Sequence, residues 1–155
     1  MKTLNVSALV LCLWAAIISG CGGGGSGAGG VTTAVVKVAT SGTLPADTRI
    51  GGVFAHVLAN PSSGLSLATD EVAVTGAGAG STLVPNVDDA ADVSLGLINA
   101  TGIQAGEFAT LNYHVVSGTS VPAGTFGIAD GASVVDIHGA AVPGLSVVIL
   151  SVTLQ

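Results

Sequence analysis

From Glu107 to Val116 apolar and polar positions alternate, with Ala109, Leu111, Tyr113 and Val115 in one phase and Phe108, Thr110, Asn112 and His114 in the other. A period of two predicts a strand with one dry and one wet face. The same alternation sets Val36 and Val38 against Lys37, and Val135 and Ile137 against Asp136 and His138. Shorter β-branched or apolar runs predict strands over 50–58, 71–75, 92–99 and 125–128. Between Leu145 and Leu154 the chain is apolar almost without interruption. Such a run predicts a strand buried on both faces or lying at the centre of a sheet. Turn chemistry fills the gaps at Pro45-Ala46-Asp47, Asn60-Pro61-Ser62-Ser63-Gly64, Pro122-Ala123-Gly124, Asp130-Gly131 and Pro143-Gly144. No segment has the period of an amphipathic helix. Eight or nine strands without helices predict an all-β domain over 31–155, built as a two-sheet antiparallel β-sandwich.

Upstream of Val31 the pattern is different. Lys2 gives a short basic start, an apolar run of 13 residues extends from Val6 to Ile18, and Ser19 and Gly20 precede Cys21. A helix needs roughly 20 apolar residues to cross a hydrocarbon core, so the run reads as an export signal over 1–20 and not as a retained span. Ile18-Ser19-Gly20-Cys21 resembles a bacterial lipobox, where diacylglycerol is attached to the cysteine and the leader is cut before it. The resemblance implies a lipidated, palmitate-bearing Cys21 and a chain held to a membrane. Gly22 stands where an inner-membrane retention signal carries aspartate, which by the same resemblance implies the outer membrane. The alternative is an ordinary signal peptide with a chance cysteine. Residues 22–30, GGGGSGAGG, have the composition of a flexible tether, with a mean reach on the order of 15–20 Å.

Composition narrows the function classes. Of 155 residues 24 are glycine and only 8% are charged, with 49% apolar, which excludes a charge-driven disordered chain. Beyond the leader two bases, Lys37 and Arg49, face nine acids, a net charge of −7. Nucleic acid is therefore excluded as a partner. Cys12 falls in the leader, leaving Cys21 without a partner for an intrachain disulfide.

Four stretches carry a family likeness. Ile50-Gly51-Gly52-Val53-Phe54 with the turn at Asn60-Pro61, the strand Val93-Ser94-Leu95-Gly96-Leu97, the pair Gly102 and Gly106-Glu107-Phe108-Ala109-Thr110-Leu111, and Ile128-Ala129-Asp130-Gly131-Ala132 together resemble a cohesin-like β-sandwich. That fold is shared by cellulosomal cohesins and related carbohydrate-binding modules. The resemblance implies a jelly-roll sandwich and a protein partner of the dockerin kind, although no motif transfers a binding surface residue by residue.

Candidate chemistry is sparse. Asn86, Asp88, Asp89 and Asp92 offer hard oxygen ligands for calcium but lack EF-hand spacing, its glycine and its closing glutamate; a solvated acidic loop is the plain reading, with calcium as the alternative. Gly76-Ala77-Gly78-Ala79-Gly80-Ser81-Thr82 lacks the lysine of a phosphate loop and has no helix after it, so it reads as a flexible loop. His56, His114 and His138 lie on separate strands without metal-ligand spacing. Glu107 and Asp136 are isolated acids, and no Gly-x-Ser-x-Gly elbow occurs. No enzyme and no cofactor is expected. Trp14 falls in the leader, leaving Tyr113, Phe54, Phe108 and Phe126, with Tyr113 predicted to point inward. That is poor material for stacking on polysaccharide. The leading expectation is an exported lipoprotein displaying a cohesin-like interaction module. A structural envelope or filament component assembling through strand edges and a carbohydrate-binding lipoprotein are the alternatives.

Overall fold

The computed structural model describes residues 30–155. The export signal, the lipidation reading at Cys21 and the tether through Gly29 lie outside the described residues. Ten strands form: β1 (Thr33–Gly42), β2 (Ile50–Ala59), β3 (Leu65–Ser66), β4 (Val72–Val74), β5 (Thr82–Asn86), β6 (Asp92–Ile103), β7 (Glu107–Val115), β8 (Phe126–Ile128), β9 (Ser133–Asp136) and β10 (Leu145–Leu154). They make two five-stranded antiparallel sheets. The first runs β10-β1-β7, with β3 and β4 both pairing along the far side of β7. The second runs β5-β6-β2, with β8 and β9 both pairing along the far side of β2. This is a two-sheet antiparallel β-sandwich.

The two sheets meet through alternate side chains. Ala34, Val36 and Val38 of β1 and Ala109, Leu111 and Tyr113 of β7 face Ala55 and Val57 of β2 and Val93, Leu95 and Leu97 of β6, all of them buried. Each fully buried leucine or valine contributes about 1.5–3 kcal/mol relative to exposure. Among the described residues every member of the core lies between Ala34 and Val147. Two one-turn 3-10 helices, Thr69–Glu71 and Gly76–Gly78, are the only helical segments among the described residues.

Strand placement follows the apolar runs closely for β2 and β10, β1 extends well to either side of the alternation at Val36–Val38, and β6 runs on to Ile103. The strand expected over 71–75 shortens to β4, because Glu71 is taken into a 3-10 turn in which its carboxylate accepts the Ala68 N–H. Two short strands, β3 and β5, have no sequence signal. Pro85 argues against a strand, yet β5 lies at a sheet edge, where a missing N–H is tolerated.

Four expectations are corrected. Phe108 was expected on the wet face of its strand but is fully buried. Ala39 pairs with Glu107 while Val38 pairs with Ala109, so Phe108 is the extra residue of a β-bulge and leaves the alternation. The glycine-rich stretch is no loose loop: Gly78 is buried, and a Cβ there would come within 2.6 Å of the Phe108 carbonyl oxygen. In β9 the dry residue is Val134, whereas Ile137 is exposed. The strand ends at Asp136, whose Oδ1 accepts the N–H groups of His138 and Ala140 and so closes a turn. Finally, β10 is not central. It is the edge strand of the first sheet, and its last five residues are all exposed.

Candidate functional site

On the second sheet the strands turn an uneven set of side chains toward solvent. Where neighbours on a strand are buried, the residues between them point out: Phe54, His56 and Leu58 on β2, Ser94, Gly96 and Ile98 on β6, Val84 on β5. The ladders bring them into rows, with Phe54 opposite Gly96 and Ser133, Val84 opposite Gly96, and Gly52 opposite Ile98 and Val135. Phe54 is 46% exposed, Val84 60% and Ile98 63%.

Glycine at position 96 shapes this face. Lacking a side chain, it leaves a gap beside the Phe54 ring, and a Cβ there would meet nothing nearer than the Val84 carbonyl oxygen at 3.7 Å. The result is a shallow groove of ≈ 230 Å³ bounded by Phe54, Gly96, Ile98, Gly52, Ser133 and Val135. Polar groups rim it. His56 Nδ1 lies 2.7 Å from Asp92 Oδ1, and the Phe54 ring meets the His56 ring edge-on, with centroids 5.1 Å apart and planes at 80°. Ser94 and Asn86 continue the row opposite His56.

The acidic residues singled out in the sequence lie in and around the turn joining β5 to β6. Asn86 Oδ1 accepts the Asp88 N–H, Asp89 Oδ1 accepts the Ala91 N–H, and Asp92 is engaged by His56. Among the described residues no three His, Cys, Asp or Glu side chains are grouped to hold a metal ion. The histidines are dispersed: His114 pairs with Glu71 on the first sheet, and exposed His138 sits in the turn after β9. Glu107 and Asp136 are on different sheets. Glu107 Oε2 accepts the Lys37 ammonium at 3.0 Å and its Oε1 accepts the Thr110 hydroxyl. The Thr75 hydroxyl and then the Lys37 ammonium hold its carboxyl below the ordinary value of 4.5. The backbone N–H groups of Ala140 and His138 likewise keep Asp136 low.

Aromatic residues divide sharply. Tyr113, Phe108 and Phe126 are buried, Tyr113 as its alternation predicts, and only Phe54 is exposed among the described rings. Tyr113 and Phe126 pack with centroids 4.9 Å apart. The Tyr113 hydroxyl is buried without a hydrogen-bond partner among the described residues. Burial first, and the Asp92 charge second, push its pKa well above the ordinary value of 10.0.

No protein-family model matches the sequence, and no curated protein is detectably similar to it. Among solved structures, a non-cellulosomal cohesin from the hyperthermophilic archaeon Archaeoglobus fulgidus matches with a TM-score of 0.56 at 15% sequence identity, over 79% of this chain and 83% of that one. The fold is cohesin-like. Within this cohesin-like sandwich the outer face of the second sheet sets an apolar groove beside a row of hydrogen-bonding groups. Sequence reasoning missed Phe54, Val84 and Ile98. In Ile50–Ala59 both phases are rich in apolar residues, so alternation does not say which faces out. The usable signal is size, since alanines occupy the inner positions 55 and 59 while Phe54 and Leu58 take the outer ones.

Proposed function

We propose that the protein is an exported lipoprotein, anchored to the outer membrane through lipid on Cys21, whose cohesin-like domain docks a protein partner on the outer face of its second sheet. The observation that carries the docking reading is the exposed apolar row of Phe54, Val84 and Ile98 around Gly96. Contiguous apolar surface is uncommon on soluble monomers and marks interaction sites. The likeness to a cohesin supports a binding role, and a dockerin-like module is the partner class that the family resemblance suggests. The lipobox-like sequence before Cys21 supports the anchor.

The test uses the lipidated protein as bait in its own envelope extract. Wild type retains a partner, Ile98→Lys and Phe54→Ala lose it, and both variants keep the wild-type melting temperature. Retention unaffected by either change removes the face from consideration. The anchor is tested separately: a labelled fatty acid is incorporated by wild type and not by Cys21→Ser, and labelling of both or neither removes the anchor.

A further inference from the structure

One strand edge of the sandwich is long and undefended. β10 closes the first sheet beyond β1, and among the described residues no strand pairs with its other side. The remaining edges are short or blunted: β3, β4 and β8 have two or three residues, β9 ends on Asp136, and β5 carries Pro85. β10 has ten residues, LSVVILSVTL, with no charge, no proline and no glycine. Free N–H and C=O groups invite another strand, and edge strands ordinarily carry one of these protections.

A second, independent feature adjoins that edge. Val38 pairs with Ile149 while Lys37 pairs with Ser151, so Leu150 is the extra residue of a bulge. Beyond it Val152 and Leu154 register with Val36 and Ala34, whose side chains are fully buried between the sheets. Val152 and Leu154 thus face the space between the sheets, yet each remains 42% exposed. Over them the second sheet offers only the three residues of β8 and the turn before it. What remains is an apolar groove of ≈ 360 Å³ lined by Val121, Pro122, Phe126, Val152 and Leu154.

We propose that β10 is a self-association edge, through which two copies of this chain pair antiparallel over residues 150–154 about a two-fold axis at Val152. The occupant is a second copy because the segment is complementary to itself in that register. Val152 meets Val152, Ser151 meets Thr153, and Leu150 meets Leu154, so apolar opposes apolar and hydroxyl opposes hydroxyl. Beyond residue 21 the chain carries a net charge of −7 and repels its own copy over most of its surface, and β10 brings no acid to the contact. The paired strands form one continuous ten-stranded sheet from two five-stranded ones, and each copy's strand shields the other's groove. A two-fold contact is closed, so assembly stops at the dimer. This inference does not depend on the lipid anchor or on what docks at Phe54.

Sedimentation velocity on residues 22–155, which contain every core residue among those described, tests it. A reversible monomer–dimer equilibrium at micromolar concentration is expected. Val152→Lys places two ammonium groups opposite one another on the axis and weakens dimerisation by roughly tenfold or more. Val152→Asp does the same, and an equimolar mixture of the two variants restores the dimer. Ile98→Lys, on the other sheet, leaves it intact. A wild type that stays monomeric, an open-ended oligomer, or a dimer broken by Ile98→Lys but not by Val152→Lys overturns the proposal. Should the Val152 variants fail to fold, amide exchange on wild type decides: dimerisation slows exchange in β10 with rising concentration and leaves β6 unchanged, and equal exchange in β10 at all concentrations rejects the pairing.

Discussion

His56 and Asp92 are joined diagonally across the β2–β6 ladder, with Nδ1 of one 2.7 Å from Oδ1 of the other, although the residue directly opposite His56 is Ser94. Both side chains are partly exposed, at 36% and 48%. Solvent screens such a pair, so Asp92→Asn is expected to change the unfolding free energy by less than about 1 kcal/mol. The change falls instead on the orientation of the imidazole beside Phe54 and on partner retention. Urea denaturation and the pull-down, run on the same variant, separate the two. A loss of several kcal/mol in the first means that the pair holds up the fold.

Two glycines give opposite outcomes on substitution by alanine. At Gly78 a Cβ would lie 2.6 Å from the Phe108 carbonyl oxygen and 2.9 Å from its Cα, so Gly78→Ala displaces the backbone at the β7 bulge and costs about 1–3 kcal/mol. At Gly96 a Cβ finds ordinary space. Gly96→Ala leaves the melting temperature near wild type while narrowing the groove beside Phe54, and weakened partner retention without destabilisation is the expected signature.

Glu107 makes stability depend on acid. Its carboxyl is held below 4.5 by the Thr75 hydroxyl and the Lys37 ammonium in the folded chain. A carboxyl with a depressed folded pKa adds stability above its unfolded value, and that stability is lost as pH falls through the folded value. Wild type should therefore lose stability as pH falls from the ordinary carboxyl value of 4.5 through the lowered folded value. Glu107→Gln should be less stable than wild type near neutrality and fall less steeply over that window. Parallel pH profiles for the two chains refute this role for Glu107.

Removing an atom should strengthen the core. The Tyr113 hydroxyl is buried and unpartnered among the described residues, while its ring packs against Phe126. Tyr113→Phe keeps the ring and relieves the hydroxyl of desolvation, for an expected gain of about 1 kcal/mol. Guanidinium denaturation gives the answer through the transition midpoint. A lower midpoint shows that the hydroxyl has a partner in solution.

The architecture was largely written in alternation and turns, and the particular failures have physical causes. A period-two argument assumes an unbroken pleat, and Phe108 sits in a bulge. Hydropathy gives the apolarity of residues 145–154 but not where the strand lies in its sheet, because edge position is set by the order in which distant strands pair. β5 was hidden by Pro85, which an edge tolerates. The outer face at Phe54 was illegible for a different reason: its residues are ordinary core types, and only the register with Gly96, Val84 and Ser133 shows that no other described residue covers them. Tyr113 was placed correctly because its strand is regular around it.

The chain emerges into the sandwich as β1, and β1 is flanked on both sides, by β10 over residues 34–42 and by β7 over residues 33–39. Tension applied upstream of Thr33 along the strand axis, against a load held on the second sheet, therefore shears two ladders at once instead of peeling one strand bond by bond. Mechanical failure then requires many backbone hydrogen bonds to yield together. A domain threaded this way resists being pulled apart by a load applied between its first strand and its second sheet.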